Sequence, residues 1–298
     1  MTSAHAARQA ASPAPANPQD GSGTPPEHPF DAALDAERDA LRALFPLPPP
    51  KPPRARTALR NGGAAALVLG TATGLLYWAD PAWRTEHHAT AIGEQRSVAL
   101  ADGSTLTLDT ATALDVSWHL RSRRVALRHG QARFAVEPSA WRPFEVTAAA
   151  TRIRVVGTIF DVRRDRDQVQ VTVLQGRVEV RGPGSADAPQ LLTPGQRLHL
   201  GGPLPATPQP VDATQVGAWQ LGRLVFDRTP LREALAEVQR YRSAPIRLRD
   251  DGRLGAQAVT GVFETAHTDQ LLDLLPRIVP AQVRRHGDGS VEISPDGR

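Results

Sequence analysis

The apolar positions of this chain follow three rules in succession. From Asn61 to Ala79 no residue carries a charge, and the run closes at Asp80. Nineteen helical residues span roughly 28 Å at about 1.5 Å each, close to the hydrocarbon thickness of a bilayer, so the run predicts a membrane-spanning helix over 61–79. A buried helix of a globular domain is the competing reading. A signal peptide fits poorly, because it would lie at the extreme N-terminus and here sixty residues come first. Gly70 and Gly74 form a G-x-x-x-G that lets helices approach closely, but a run so rich in small residues produces the pattern easily by chance.

From about residue 95 to 200 the period changes to two. Ser97-Val98-Ala99-Leu100, Thr105-Leu106-Thr107-Leu108, Arg124-Val125-Ala126-Leu127-Arg128 and Arg133-Phe134-Ala135-Val136 all alternate, as do Gln168 through Val173 and Arg177 through Val180. Asp102-Gly103, His129-Gly130, Gln175-Gly176 and Pro194-Gly195 read as the turns between them. Many short strands at regular spacing predict an antiparallel sandwich or related all-β unit over 85–200.

Residues 201–215 read as a Gly/Pro linker, and 216–298 mix both periods. Leu224-Val225-Phe226 reads as a strand, after which Thr229 is expected to cap a helix with Pro230 in its first position. Leu231, Ala234, Leu235, Val238 and Tyr241 keep helical spacing. Residues 246–248 and 259–263 are short strands, Thr268 is expected to cap a second helix carrying Leu271, Leu272 and Leu275, and two final strands flank Gly287-Asp288-Gly289. The prediction is a small α+β domain of two β-α-β units.

Residues 1–60 are read as a mostly disordered tail. Twelve of the chain's 27 prolines lie between residues 11 and 56, and such a stretch buries too little apolar surface to fold. Over 30–45, Phe30, Leu34, Leu41, Leu44 and Phe45 share one helical face, interrupted by Glu37 and Arg38, and residues 46–53 form a polyproline spacer.

Charge gives the helix a direction. Lys51, Arg54, Arg56 and Arg60 crowd its N-terminal side, which places 1–60 in the cytoplasm and 80–298 outside; Tyr77, Trp78 and Trp83 suit the far interface. The chain has no cysteine, which excludes disulfides and thiolate chemistry. Lys51 is the sole lysine beside 34 arginines, and these alternate with apolar residues as on a solvated strand face. No basic block is flanked by stacking aromatics, so nucleic acid is rejected as a partner.

Candidate chemistry is sparse. His87 and His88 are adjacent and complete no metal site, Asp102 and Asp109 read as turn and strand-end residues, and no nucleophile elbow or phosphate loop is present. No cofactor is expected, and the chain is not read as a multiple-turnover enzyme. Gly157-Thr158 interrupts two β-type runs: its hydroxyl stands next to the Gly157 carbonyl, as ester formation and chain cleavage require, or it is a surface threonine on a β-bulge.

Several segments in order resemble the FecR family of membrane-spanning sigma-factor regulators. They are Gly93-Glu94-Gln95-Arg96, Leu100-Ala101-Asp102-Gly103-Ser104, Gly130 with 132–136, Arg142-Pro143-Phe144-Glu145-Val146, residues 155–162 and residues 173–180. Trp219, residues 222–226, Pro230-Leu231 and Arg240-Tyr241 resemble the family's C-terminal module. The resemblance implies a single-pass inner-membrane protein with its N-terminal segment cytoplasmic, an all-β periplasmic FecR-type domain and a small α+β domain; the disordered state of the tail is the reading of its composition. It implies relay of a ferric-siderophore or haem signal from the periplasmic signalling domain of a TonB-dependent outer-membrane receptor to a cytoplasmic extracytoplasmic-function sigma factor. It further implies self-cleavage at Gly157-Thr158, with periplasmic and intramembrane proteases acting afterwards. Sigma contact would fall to Phe30, Leu34, Leu41, Leu44 and Phe45. Trp219, Phe226, Leu231 and Tyr241 would serve the receptor-interacting module or its core. The family's longer, Trp-containing inner domain is missing, since residues 1–60 hold no tryptophan. The alternative is an envelope adaptor that docks a receptor or secretion channel with no transcriptional output.

Overall fold

Strands with one apolar face need a second apolar layer to cover it, and here one long strand belongs to both layers. The computed structural model describes residues 37–38, 40–41, 43–45, 56–183, 188–202, 206–211, 216–249 and 252–296. The chain divides into two compact units, Met1–Leu67 and Val68–Arg298. In the first, Glu37, Arg38, Ala40, Leu41, Ala43 and Leu44 are helical, and the Phe45 N–H donates to the Leu41 carbonyl at 3.0 Å. Phe30 and Leu34, and with them the start of the expected helix, lie outside the described residues.

Helix α1 covers Arg56–Ala79. Its described apolar side chains, among them Leu67, Val68, Leu69, Leu75, Leu76 and Trp78, are more than half exposed. Among the described residues no helix is long and apolar enough to cross a membrane. Gly70, Thr71, Thr73 and Gly74 dilute the apolar run in just this part. The helix ends at Asp80, whose backbone turns left-handed (φ 42°) and whose side chain is buried. The carboxylate accepts from the Arg121 N–H (3.0 Å), the Ser122 hydroxyl (2.8 Å) and the Arg124 guanidinium (3.2 Å). Burial would raise its pKa, but these donors and the nearby His119 hold it below the usual carboxylate range.

The β unit contains β1 (Arg84–Ala89), β2 (Arg96–Ala99), β3 (Thr105–Leu108), β4 (Ala113–Trp118), β5 (Arg123–Ala135), β6 (Phe144–Ala148) and β7 (Thr151–Val155). It continues with β8 (Ile159–Asp165), β9 (Gln168–Gln175), β10 (Val178–Arg181), β11 (Gln190–Leu192), β12 (Gln196–Leu200) and β13 (Gln209–Pro210). One layer runs β1-β4-β5-β6-β7-β10-β11, the other β2-β3-β5-β8-β9-β12-β13. The inward alternation predicted from the sequence fills one shared core: the Phe134 and Phe160 rings stack at 5.1 Å within the second layer, and Phe144 from the first meets Phe134 edge-on at 6.1 Å.

Two features depart from the expectation. His129-Gly130 is no turn but a bend inside the thirteen-residue β5. Buried positions shift there from Arg123, Val125 and Leu127 to Ala132 and Phe134, so the strand leaves one layer and enters the other. Gly130 has φ +89°, and a Cβ there would lie 2.3 Å from the Thr112 Oγ1; only glycine fits. The sandwich is also not wholly antiparallel. Having crossed to the second layer, the chain returns so that β6 starts level with Arg123 and pairs with β5 in parallel.

The C-terminal module has its own core. It comprises β14 (Arg223–Pro230), α2 (Leu231–Gln239), β15 (Ile246–Leu248), β16 (Ala258–Glu264), α3 (Thr268–Ile278), β17 (Ala281–Arg285) and β18 (Val291–Pro295). β14 pairs with β16, while β15 and β17 flank β18. Both expected caps move by one residue. Thr229 and Pro230 stay extended because they pair with Val259 and Ala258, so α2 begins at Leu231 with Pro230 before it. The 3-10 turn Thr265–His267 carries the chain to α3, making His267 the cap and Thr268 the first helical residue.

Candidate functional site

The first candidate is the peptide joining Gly157 to Thr158, between β7 and β8. A Cβ on Gly157 would lie 2.7 Å from the Pro138 side chain and 2.8 Å from its Cα. On the other side Gly176 takes φ +84°, and a Cβ there would come within 2.9 Å of the Gly157 carbonyl oxygen and 3.0 Å of the Thr158 Oγ1. Two glycines therefore let three segments converge on one peptide. Backbone bonds pin it on both flanks, from the Ser139 N–H to the Val156 carbonyl (2.9 Å) and from the Val136 N–H to the Thr158 carbonyl (3.0 Å). The ladder does bulge nearby, between Ile159 and Phe160. Thr158 is nevertheless buried at 4% exposure, which corrects the surface-threonine alternative. Its hydroxyl donates to the Arg177 carbonyl at 3.1 Å.

The second candidate is the junction between the β unit and the C-terminal module. Asp109, at the end of β3, has no exposed side-chain surface. Its carboxylate accepts from the Arg240 guanidinium (2.8 Å), the Tyr241 hydroxyl (2.9 Å) and the Gln95 amide (3.1 Å). The Gln95 amide also donates to the Trp219 carbonyl at 2.6 Å, and the Thr110 hydroxyl donates to the Arg240 carbonyl at 3.1 Å. A second knot sits on the outer face of β5 and β8. Arg133 grips Asp161 with two nitrogens (2.6 and 2.8 Å), and the Trp219 indole N–H donates to the same carboxylate at 3.3 Å. Arg133 also reaches the Val216 carbonyl (3.1 Å) and the Gln220 side chain. A third pair joins Arg163 of β8 to Glu237 of α2, and Arg240 closes on Glu237 at 3.2 Å.

Electrostatics follow this wiring. Burial pushes the Tyr241 hydroxyl pKa far up, and the Asp109 charge adds to it, so the group stays a donor. Burial would raise Glu237, but the charges of Arg163 and Arg240 outweigh it and leave its pKa lowered. Burial would lower Arg240, but Glu237 and Asp109 raise it. Glu237 and Arg240 are thus each held ionised by their partners.

The residues singled out from sequence divide clearly. Phe226 and Leu231 are buried in the module's core, while Trp219 and Tyr241 are buried in the junction; none offers a free face to a partner. Leu41, Leu44 and Phe45 are exposed at 56, 74 and 74%. His87 bonds to Asp115 (2.5 Å), and among the described residues no group of three or more ligands could hold a metal. In sequence Asp109 reads only as a strand-end residue, and Arg133, Asp161, Arg163 and Glu237 are not singled out as site residues. Their one signal is parity: Arg133 and Asp161 alternate with the buried Phe134 and Phe160, which marks only an outward face.

Comparison with known proteins adds a family. The model described as FecR protein matches residues 86–179. Two crystal structures of a candidate anti-sigma factor from Parabacteroides distasonis superpose with a TM-score of 0.62 at 22% identity. They cover 71% and 70% of this chain and 99% and 98% of their own, and at this identity the likeness is one of fold. No curated protein matches the chain.

Proposed function

From the match of its β unit to the FecR family over residues 86–179, we propose that the chain is a non-enzymatic regulator of a sigma factor. The family match over residues 86–179 carries the reading, supported by a fold shared with a protein named as a candidate anti-sigma factor. In this proposal the outer module receives a ferric-siderophore or haem signal from the signalling domain of a TonB-dependent receptor. Helix α1 holds the protein in the inner membrane, with the N-terminus cytoplasmic and the C-terminus periplasmic; its apolar side chains from Leu67 to Trp78 are exposed and available to lipid. Leu41, Leu44 and Phe45 offer the sigma factor an exposed apolar edge.

Self-cleavage belongs to the same proposal, as a single event. The Thr158 Oγ1, released from the Arg177 carbonyl, attacks the Gly157 carbonyl carbon; the peptide C–N bond breaks and leaves an ester and a free Thr158 amine. Water then hydrolyses the ester, giving a Gly157 carboxylate and restoring the hydroxyl. The glycine-walled surroundings of this peptide support the reading. The two pieces would stay together, because β7 and β8 are each laddered to other strands. Proteases of the periplasm and membrane would then release the inner fragment.

The test is capture of partners on the full-length protein from induced cells. Recovery of a sigma factor, lost on changing Leu41→Asp and Leu44→Asp together, is the expected result. Failure to recover one would turn the reading to an envelope adaptor acting only through its outer modules.

A further inference from the structure

Between the outer face of β9 and β12 and the facing β14 and α2 lies a cleft of about 740 Å³. Strand register lays out its floor. Arg133, Asp161, Thr172, Arg197 and Gln209 stand side by side across five strands, and Gln131, Arg163, Gln170 and His199 form the adjoining row. Neighbours in such a row are about 4.8 Å apart. At the closed end the cations are neutralised, Arg133 through Asp161 of β8, and Arg163 through Asp165 of β8 and the module's Glu237. Arg197, toward the open end, is treated differently. Its Nε donates to the Thr172 hydroxyl at 3.1 Å, and no carboxylate among the described residues lies within ion-pairing distance of it. The side chain is partly buried all the same.

We propose that this cleft is a binding site for a small ligand bearing a carboxylate or phosphate group, held by the two free terminal nitrogens of Arg197. A guanidinium partly withdrawn from water with no carboxylate in contact is costly, since burial outweighs the more distant charges of Asp161 and Glu237, and an oxyanion that accepts its fork bidentately removes that cost. Thr172 fixes the Nε and so aims the fork into the cleft, while Gln170 and Gln209 add polar groups on either side. The volume is that of an ordinary small-molecule site. Burial chiefly, with the charges of Arg197 and Arg163 adding to it, pushes the His199 pKa down. Glu237 is already committed to two arginines, and Glu233 stands exposed at the rim, where water screens it. Because the floor belongs to the β unit and the roof to the C-terminal module, a bound ligand would tie the two together.

This inference rests on the cleft alone and holds whether or not the protein binds a sigma factor. The test is calorimetric titration of the full-length protein in detergent micelles with inorganic phosphate and, separately, succinate at constant ionic strength. The expected result is saturable binding of at least one, weakened about tenfold or more by Arg197→Gln, with Arg197→Lys in between because an ammonium cannot bind bidentately. Arg154→Gln, on the exposed outer face of β7, should change nothing. Binding of phosphate alone or succinate alone names the oxyanion. Absence of binding by both up to about 10 mM, or equal binding by the Arg197 variants, overturns the proposal.

Discussion

The junction makes a quantitative claim that a double-mutant cycle can refute. Asp109→Asn keeps the shape of a buried side chain but replaces a carboxylate with an amide. Tyr241 and Gln95 can still donate to its remaining carbonyl oxygen, whereas the new amide N–H groups meet the Arg240 guanidinium donor against donor. Removing one partner of a buried pair costs about 3–5 kcal/mol. Arg240 keeps Glu237 at 3.2 Å, which favours the lower end. We expect a loss of about 3 kcal/mol, equivalent to roughly 6–12 °C in melting temperature for a folded region of this size. Arg240→Met, which preserves most of the stem's packing, should cost a similar amount, and the double variant much less than the sum. The assay is thermal melting of the four proteins followed by tryptophan fluorescence, since Trp219 lies in the same network. A coupling energy below about 0.5 kcal/mol would mean that the two charges are independent and that the junction is not held as described.

Three further outcomes are expected. Thr158→Ala should leave one full-length band where the wild type gives two, and identical patterns would remove the self-cleavage proposal. Gly130→Ala forces a Cβ against the Thr112 backbone at φ +89° and should cost about 3 kcal/mol or more, read as a lower melting temperature; an unchanged melt would refute the bend in β5. Asp80 has its pKa lowered on folding, so its contribution is complete above its ordinary value of 3.8 and fades as pH falls through the lower folded value. The stability gap between the wild type and Asp80→Asn should therefore be full at about pH 6 and narrow below about pH 4, and a gap independent of pH would contradict the bonding of Asp80.

What the sequence determined by itself was whatever depends on neighbours a few residues apart. A strand buries every second side chain, so Val169, Val171 and Val173 announce β9 and its inward face without reference to any partner. The spacing of Leu231, Ala234, Leu235 and Val238 does the same for α2. The break between strands at Gly157-Thr158 was also legible, because a glycine between two alternating runs is a local signal. Its depth was not, since Pro138 and Gly176 reach it from distant parts of the chain. Only tertiary structure could tell a bend from a turn at His129-Gly130, because both need the same glycine and differ only in which strands pair on either side. Asp109 and Arg240 lie 131 residues apart, and each alone looks like an ordinary surface charge. Arg197 likewise gains its meaning from register, which sets it two strands beyond Arg163, the arginine that the module's Glu237 neutralises. A charge becomes informative only once folding has withdrawn it from water, and the residues that decide whether it is then paired come from wherever the fold has brought them.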